Sequence, residues 1–169
     1  YNQDLLKGLD FFLNKLKKRD MDAILYLTNN WEWSGVMAKY LEWNGYGKVP
    51  NPNLKPNTWP QFMSYTAQFH QCEPCKKAFL EHIKFMLNRK NSVNGIPYKQ
   101  DKTIMAWEVA NEPRIWNIEN EKAFTNWLNE VASTIKSIDK NHLLTTGSEG
   151  KAGSNDDIAA FERTHNNPN

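Results

Sequence analysis

TIMAWEVANEPR, residues 103–114, runs from an apolar strand directly into a polar turn. TIMAWEVA (103–110) reads as a strand, stopped by Asn-Glu-Pro. Pro113 ends it, because proline cannot donate to a ladder and disfavours helical geometry in the residue before it. The turn thus carries Asn111, Glu112 and Arg114 at the carboxyl end of a buried strand.

The same strand-then-polar-loop pattern appears on both sides. Upstream, MDAILYLT (21–28) is a compact apolar run, read as a buried strand over 23–28 and followed by NNWEW. Downstream, HLLTTG (142–147) is a third strand, followed by SEGKAG. Helical spacing marks 1–19 through Leu5, Leu9, Phe12 and Leu16, widened by Leu6 and Leu13. A helical pair is predicted at 59–70 and 73–88, a long helix at 119–138 and a last one at 154–165. Residues 29–58 read as a loop, with room for a short helix near 36–42, and a loop of that length in a compact domain is usually functional. Alternating helix and strand means a parallel sheet with crossover helices, whose sites lie beyond the carboxyl ends of the strands. Here all three such ends carry polar or aromatic residues.

Composition narrows the chemistry. The net charge is +2, with no basic stripe for a phosphate backbone, so nucleic acid is not an expected partner. No apolar run approaches the ~20 residues that span a bilayer. The opening residues, YNQDLLKGLD, do not read as a signal peptide. The 7 Trp are more than one core of this size needs, and indole rings suit the flat apolar faces of sugars.

At the turn, Glu112 is placed to act as a general acid, and Asn111 beside it can hydrogen-bond a substrate hydroxyl. Glycosidic bond cleavage needs such an acid and a second carboxylate across the sugar. Capping of the next helix, or pairing with Arg114, would explain Glu112 equally well from the turn alone. Glu108 shares its strand parity and is expected to be a buried structural acid with partners. Cys72 and Cys75, in CEPC, read as a local disulfide or two free thiols, since no second pair or His cluster completes a zinc site.

WEVANEP after a strand resembles the strand-four signature of glycoside hydrolase family 5. ILYLTNNWEWSGVMAKYLEW, TIMAWEVANEPR and IKSIDKNHLLTTGSEG resemble, in order and spacing, the β-mannanase members of that family. The resemblance implies an α/β fold, the (β/α)8 TIM barrel, of which residues 1–169 are a partial catalytic domain covering about strands three to five. It implies retaining, endo-acting hydrolysis of β-1,4-mannosidic bonds, with mannan or manno-oligosaccharides as partners, no cofactor, no metal, and an extracellular or periplasmic location. It assigns the acid/base to Glu112 and the sugar 2-hydroxyl contact to Asn111. It also makes Trp31 a cleft-lining aromatic, and Arg114 and Glu149 contacts to the mannan chain. Trp33, Trp43 and Trp116 lie in mouth-side loops, where packing is the expected role. The nucleophilic Glu that the family carries on strand seven has no counterpart here. Another family-5 β-glycanase, a cellulase or xyloglucanase, and a non-catalytic carbohydrate-binding segment remain as alternatives.

Overall fold

The computed structural model describes residues 1–34, 36–150 and 158–165. Three parallel strands, β1 (Ala23–Tyr26), β2 (Ile104–Glu108) and β3 (Leu143–Thr145), form one sheet in chain order. Ala106 sits opposite Ile24 on one side and Leu143 on the other. Helices α1 (Gln3–Lys17), α2 (Met37–Trp43), α4 (Glu73–Asn88) and α5 (Glu121–Ile138) supply the core on the outer face, while α3 (Trp59–Thr66) packs on α2 beside the loop after β1, and α6 (Ile158–His165) lies against α5. Of the predicted last helix, residues 154–157 lie outside the described residues.

Trp107, on the helix-facing side of β2, centres the core among Phe79, Phe124, Trp127, Val131 and Ile135. Its indole donates to Asp139 at 2.7 Å. Asp139 also meets His142 Nδ1 at 2.5 Å and accepts from the backbone N–H groups of Asn141 and His142, which ties the end of α5 to the start of β3.

The strand over 23–28 is not buried on both faces. Its regular part ends at Tyr26, and Ile24 and Tyr26 are about half exposed, at 49% and 51%. Both point to the inner face of the sheet, where no further strand lies opposite among the described residues. Backbone pairing continues beyond the strand proper: Leu27 N–H donates to Glu108 O and Asn111 N–H to Thr28 O, each at 2.9 Å.

Helix α1 departs from its apolar pattern. Leu13 and Leu16 are buried, but Leu5 and Phe12 are exposed and Asp10 is fully buried. Asp10 accepts from Arg89 Nε at 3.0 Å, Tyr98 Oη at 2.6 Å and Ser92 Oγ at 2.7 Å, so one carboxylate joins α1 to the connection before β2. Burial would raise this carboxyl, but Arg89, Tyr98 and Ser92 outweigh it and hold it at about 2. Cys72 and Cys75 are bridged, and Cys72 caps the start of α4.

Candidate active site

The loops after β1, β2 and β3 meet at one end of the sheet. Asn111 continues the ladder, its carbonyl accepting from Asn30 N–H at 3.1 Å. Glu112 then leaves the sheet, its N–H donating to Gly147 O at 3.0 Å. Its φ is +51°, in the left-handed region, where the sequence alone points to an extended residue before Pro113. A non-glycine residue held there needs over-determination by its surroundings. The backbone bond to Gly147 supplies part of it. The side chain supplies the rest, because Trp31 Nε1–H donates to Glu112 Oε2 at 2.5 Å.

Asn29 organises the two loops and was not evident from the sequence. It is buried, and its Oδ1 accepts from Trp31 N–H at 3.0 Å and from Asn111 Nδ2 at 3.1 Å. Its own Nδ2 donates to Ser34 Oγ at 3.1 Å. A buried amide satisfied on both ends fixes the orientation of Asn111, with the second N–H of the Asn111 amide and its oxygen left out of this bond. The only sequence signal for Asn29 was its place at the end of a strand.

Gly147 was missed as well. At φ +79°, a Cβ there would lie 1.9 Å from Ala110 O and 2.6 Å from Glu108 Cγ. The third loop can approach β2 closely only with glycine at this position.

Arg114 and Glu149, singled out separately in the sequence, meet as an ion pair at 2.6 Å. The guanidinium also lies 4.9 Å from the Trp31 ring centre and 5.7 Å from that of Trp116. The Arg114 carbonyl is held from beneath by His70 Nε2 at 3.1 Å. Burial drives the His70 imidazole down to about 4, so this nitrogen donates from a neutral ring at ordinary pH.

Trp31 contacts four partners besides Glu112: Trp33 stacked at 5.7 Å, Trp59 and Trp116 edge-on at 5.8 Å and 5.7 Å, and Arg114. Trp116 is buried, as a packing role requires. Trp33, stacked on Trp31, and Trp43, edge-on to Tyr40 at 5.4 Å, are 62% and 67% exposed, and both line the groove along the outer edge of β1.

Glu108 departs from its expected setting. It is half-buried on the inner face, and among the described residues its carboxylate makes no hydrogen bond. Burial raises its pKa and the negative charge of Glu112 adds to that, which places both carboxylates in one field.

A carboxylate at the mouth of a parallel sheet, bonded by an indole N–H and set beside a fixed amide, is a specific arrangement. The profile of the glycoside hydrolase family 5 β-mannosidase-like proteins matches residues 1–169. The chain belongs to that family. Mannan endo-1,4-β-mannosidase 1 of Arabidopsis thaliana is 36% identical over 99% of the chain, and mannan endo-1,4-β-mannosidase 1 of Oryza sativa is 33% identical over 90%. The chain spans 36% and 33% of the lengths of those two relatives. Among solved structures, the family 5 mannosidase of Rhizomucor miehei superposes with a TM-score of 0.85 at 33% identity, covering 100% of this chain and 39% of that one. The endo-β-1,4-mannanase of Thermotoga petrophila gives 0.71 at 33% identity, covering 85% of this chain and 27% of that one. The fold is that of a section of the family's (β/α)8 barrel.

Proposed function

We propose that residues 1–169 are the central section of the catalytic barrel of a retaining, endo-acting β-1,4-mannan hydrolase, with Glu112 as its general acid/base. The observation that carries this reading is the Glu112 carboxylate at the mouth of the sheet, aimed by the Trp31 indole and set beside Asn111. In the first step Glu112 gives its proton to the glycosidic oxygen while a nucleophilic carboxylate from another strand attacks the anomeric carbon. In the second, the Glu112 carboxylate takes a proton from the water that releases the sugar. Asn111, held by Asn29, bonds the 2-hydroxyl of the sugar under attack. Arg114 and Glu149 form one wall of the cleft as a pair, and Trp31 sets the acid's direction.

The incomplete-barrel reading is supported by the inner face of the sheet, where Ile24, Tyr26 and Leu143 are exposed as they would be against a missing opposite wall. A groove of about 1110 Å³ also runs along the outer edge of β1 beside Tyr26, Leu27 and Thr28, where the adjoining strand and helix of a barrel would lie. Secretion is supported by the disulfide, which suits an oxidising compartment, and no helix among the described residues is long and apolar enough to cross a membrane. A second reading, a mannosidase acting on short mannosyl saccharides, is favoured by the Rhizomucor miehei family 5 mannosidase, which aligns with the whole chain and, as a mutant, has been solved with mannosyl-fructose.

The test is Glu112→Gln in the complete enzyme. Turnover of mannan should fall severely with folding intact, while glycosylation by substrates with a very acidic leaving group should suffer much less. Equal losses on both would refute the acid role. Turnover of mannan compared with that of short mannosyl saccharides separates the two readings.

A further inference from the structure

We propose that His70 is a positioning residue for the general acid: by bonding the Arg114 carbonyl from beneath, it holds the turn that aims Glu112. The proposal rests on the acid/base reading above.

The turn needs holding. Glu112 and Trp116, at φ +51° and +64°, are both non-glycine residues in the left-handed region, and Arg114 lies midway between them. Such conformations persist only where the surroundings over-determine them. The Gly147 carbonyl and the Trp31 indole act on Glu112 itself. The backbone after the acid is fixed by His70, whose Nε2 donates to Arg114 O at 3.1 Å. Pro113 couples the two ends, because its ring removes rotation about φ, so a displaced Arg114 carbonyl also displaces Glu112.

The support is itself rigid. His70 lies on the short 3-10 helix Ala67–Gln71, and both ends of that helix are tied to Asn120. Asn120 Nδ2 donates to Ala67 O at 3.2 Å, and Gln71 Nε2 donates to Asn120 Oδ1 at 2.8 Å. The next residue, Cys72, is bridged to Cys75 at the start of α4. The imidazole is 1% exposed, with its centre 5.1 Å from those of both Phe124 and Trp127.

Histidine is not the residue that packing alone would place there. Its Nδ1 is buried with no hydrogen-bond partner among the described residues, in a cluster made of Phe69, Phe124 and Trp127. An orphaned buried polar atom opposes folding. Phenylalanine would fill the same space without one. What phenylalanine lacks is an N–H at the far edge of the ring, and that is the atom His70 gives to Arg114. A side chain that costs stability while it fixes the geometry of a site is the pattern expected where function sets the residue.

The experiment uses the complete enzyme as wild type, His70→Phe, His70→Gln and Gln71→Ala, with Glu112→Gln as reference. Each is assayed on mannan and on an aryl mannobioside with a very acidic leaving group. On mannan, kcat of the His70→Phe variant should fall roughly tenfold, with KM changed by less than about twofold. Its kcat/KM on the aryl substrate, which needs little protonation, should change by less than about twofold. Its Tm should stay close to that of wild type, since an orphaned Arg114 carbonyl replaces an orphaned Nδ1. His70→Gln, whose Nε2 can also donate, should recover most of the loss. Gln71→Ala removes an exposed side chain and one tie to Asn120, and should show the same pattern at about two- to threefold. Unchanged kcat in His70→Phe would overturn the proposal, as would equal losses on both substrates, or a glutamine variant no better than phenylalanine. Should His70→Phe not fold, an unchanged kcat in Gln71→Ala would overturn it. Full mannan turnover by Glu112→Gln would instead overturn the acid reading on which the proposal rests.

Discussion

Gly147→Ala adds a methyl group where the structure has no room for one. The new Cβ would stand 1.9 Å from the Ala110 carbonyl oxygen and 2.6 Å from Glu108 Cγ. Glu108 can move aside, but the oxygen belongs to the backbone of the central strand's extension and cannot. The residue must also keep φ near +79°, which costs an L-residue about 1–2 kcal/mol. Relief of the overlap by backbone shift costs about 1–3 kcal/mol more. The combined loss, about 2–5 kcal/mol, corresponds to a fall in Tm of roughly 5–15 °C for a domain of moderate size. The effect reaches the site because the Gly147 carbonyl accepts from Glu112 N–H at 3.0 Å. If that oxygen moves by about 1 Å, so does the acid, and kcat on mannan should fall about 100-fold. Scanning calorimetry and steady-state kinetics on the complete enzyme measure both quantities. A variant that melts within a degree of wild type with unchanged kcat would refute the argument that the third loop needs glycine to seat the acid.

Three further outcomes follow from other contacts. Asp10→Asn should destabilise the complete enzyme by about 2 kcal/mol at neutral pH, read by denaturant titration, from a carboxyl held at about 2. Because the folded value is depressed, that contribution is present above the unfolded pKa near 4 and is lost as pH falls toward 2, so wild type and variant should converge in acid; a constant gap would contradict the assignment. Trp31→Phe keeps most of the ring packing but removes the N–H on Glu112, and should cost about 1.5–3 kcal/mol in kcat/KM on mannan with little change in Tm; unchanged kinetics would show that the indole does not aim the acid. Residues 1–169 alone should show neither cooperative unfolding as a monomer nor reducing-sugar release, since the outer strand edges stay unpaired and, on the retaining mechanism proposed above, the nucleophilic carboxylate comes from another strand; a sharp two-state transition in a monomer would contradict the incomplete-barrel reading.

The alternation of helix and strand, and the Asn-Glu-Pro turn at a strand end, were fixed by local chemistry: apolar runs of strand length, helical spacing of Phe124, Trp127 and Val131, and a proline that stops the ladder. Those features suffice to place Asn111 and Glu112 at the mouth of a parallel sheet. What they cannot contain is any relation between residues far apart in the chain. Trp31 reads from the sequence as a cleft-lining aromatic, but only the packed loops show its N–H on Glu112, 81 positions away, and Trp33 stacked on its ring. Asn29 and Gly147 carry no motif, and their importance arises from a hydrogen bond and a close approach across neighbouring strands. Asp10 sits on a helix that reads as simply amphipathic, yet is buried because Arg89, Ser92 and Tyr98 arrive from a connection some 80 residues later to satisfy it. Periodicity and turn chemistry act between neighbours in sequence and are legible there. Burial, ion pairing and the aim of the Glu112 carboxylate act through space, and only the tertiary structure decides them.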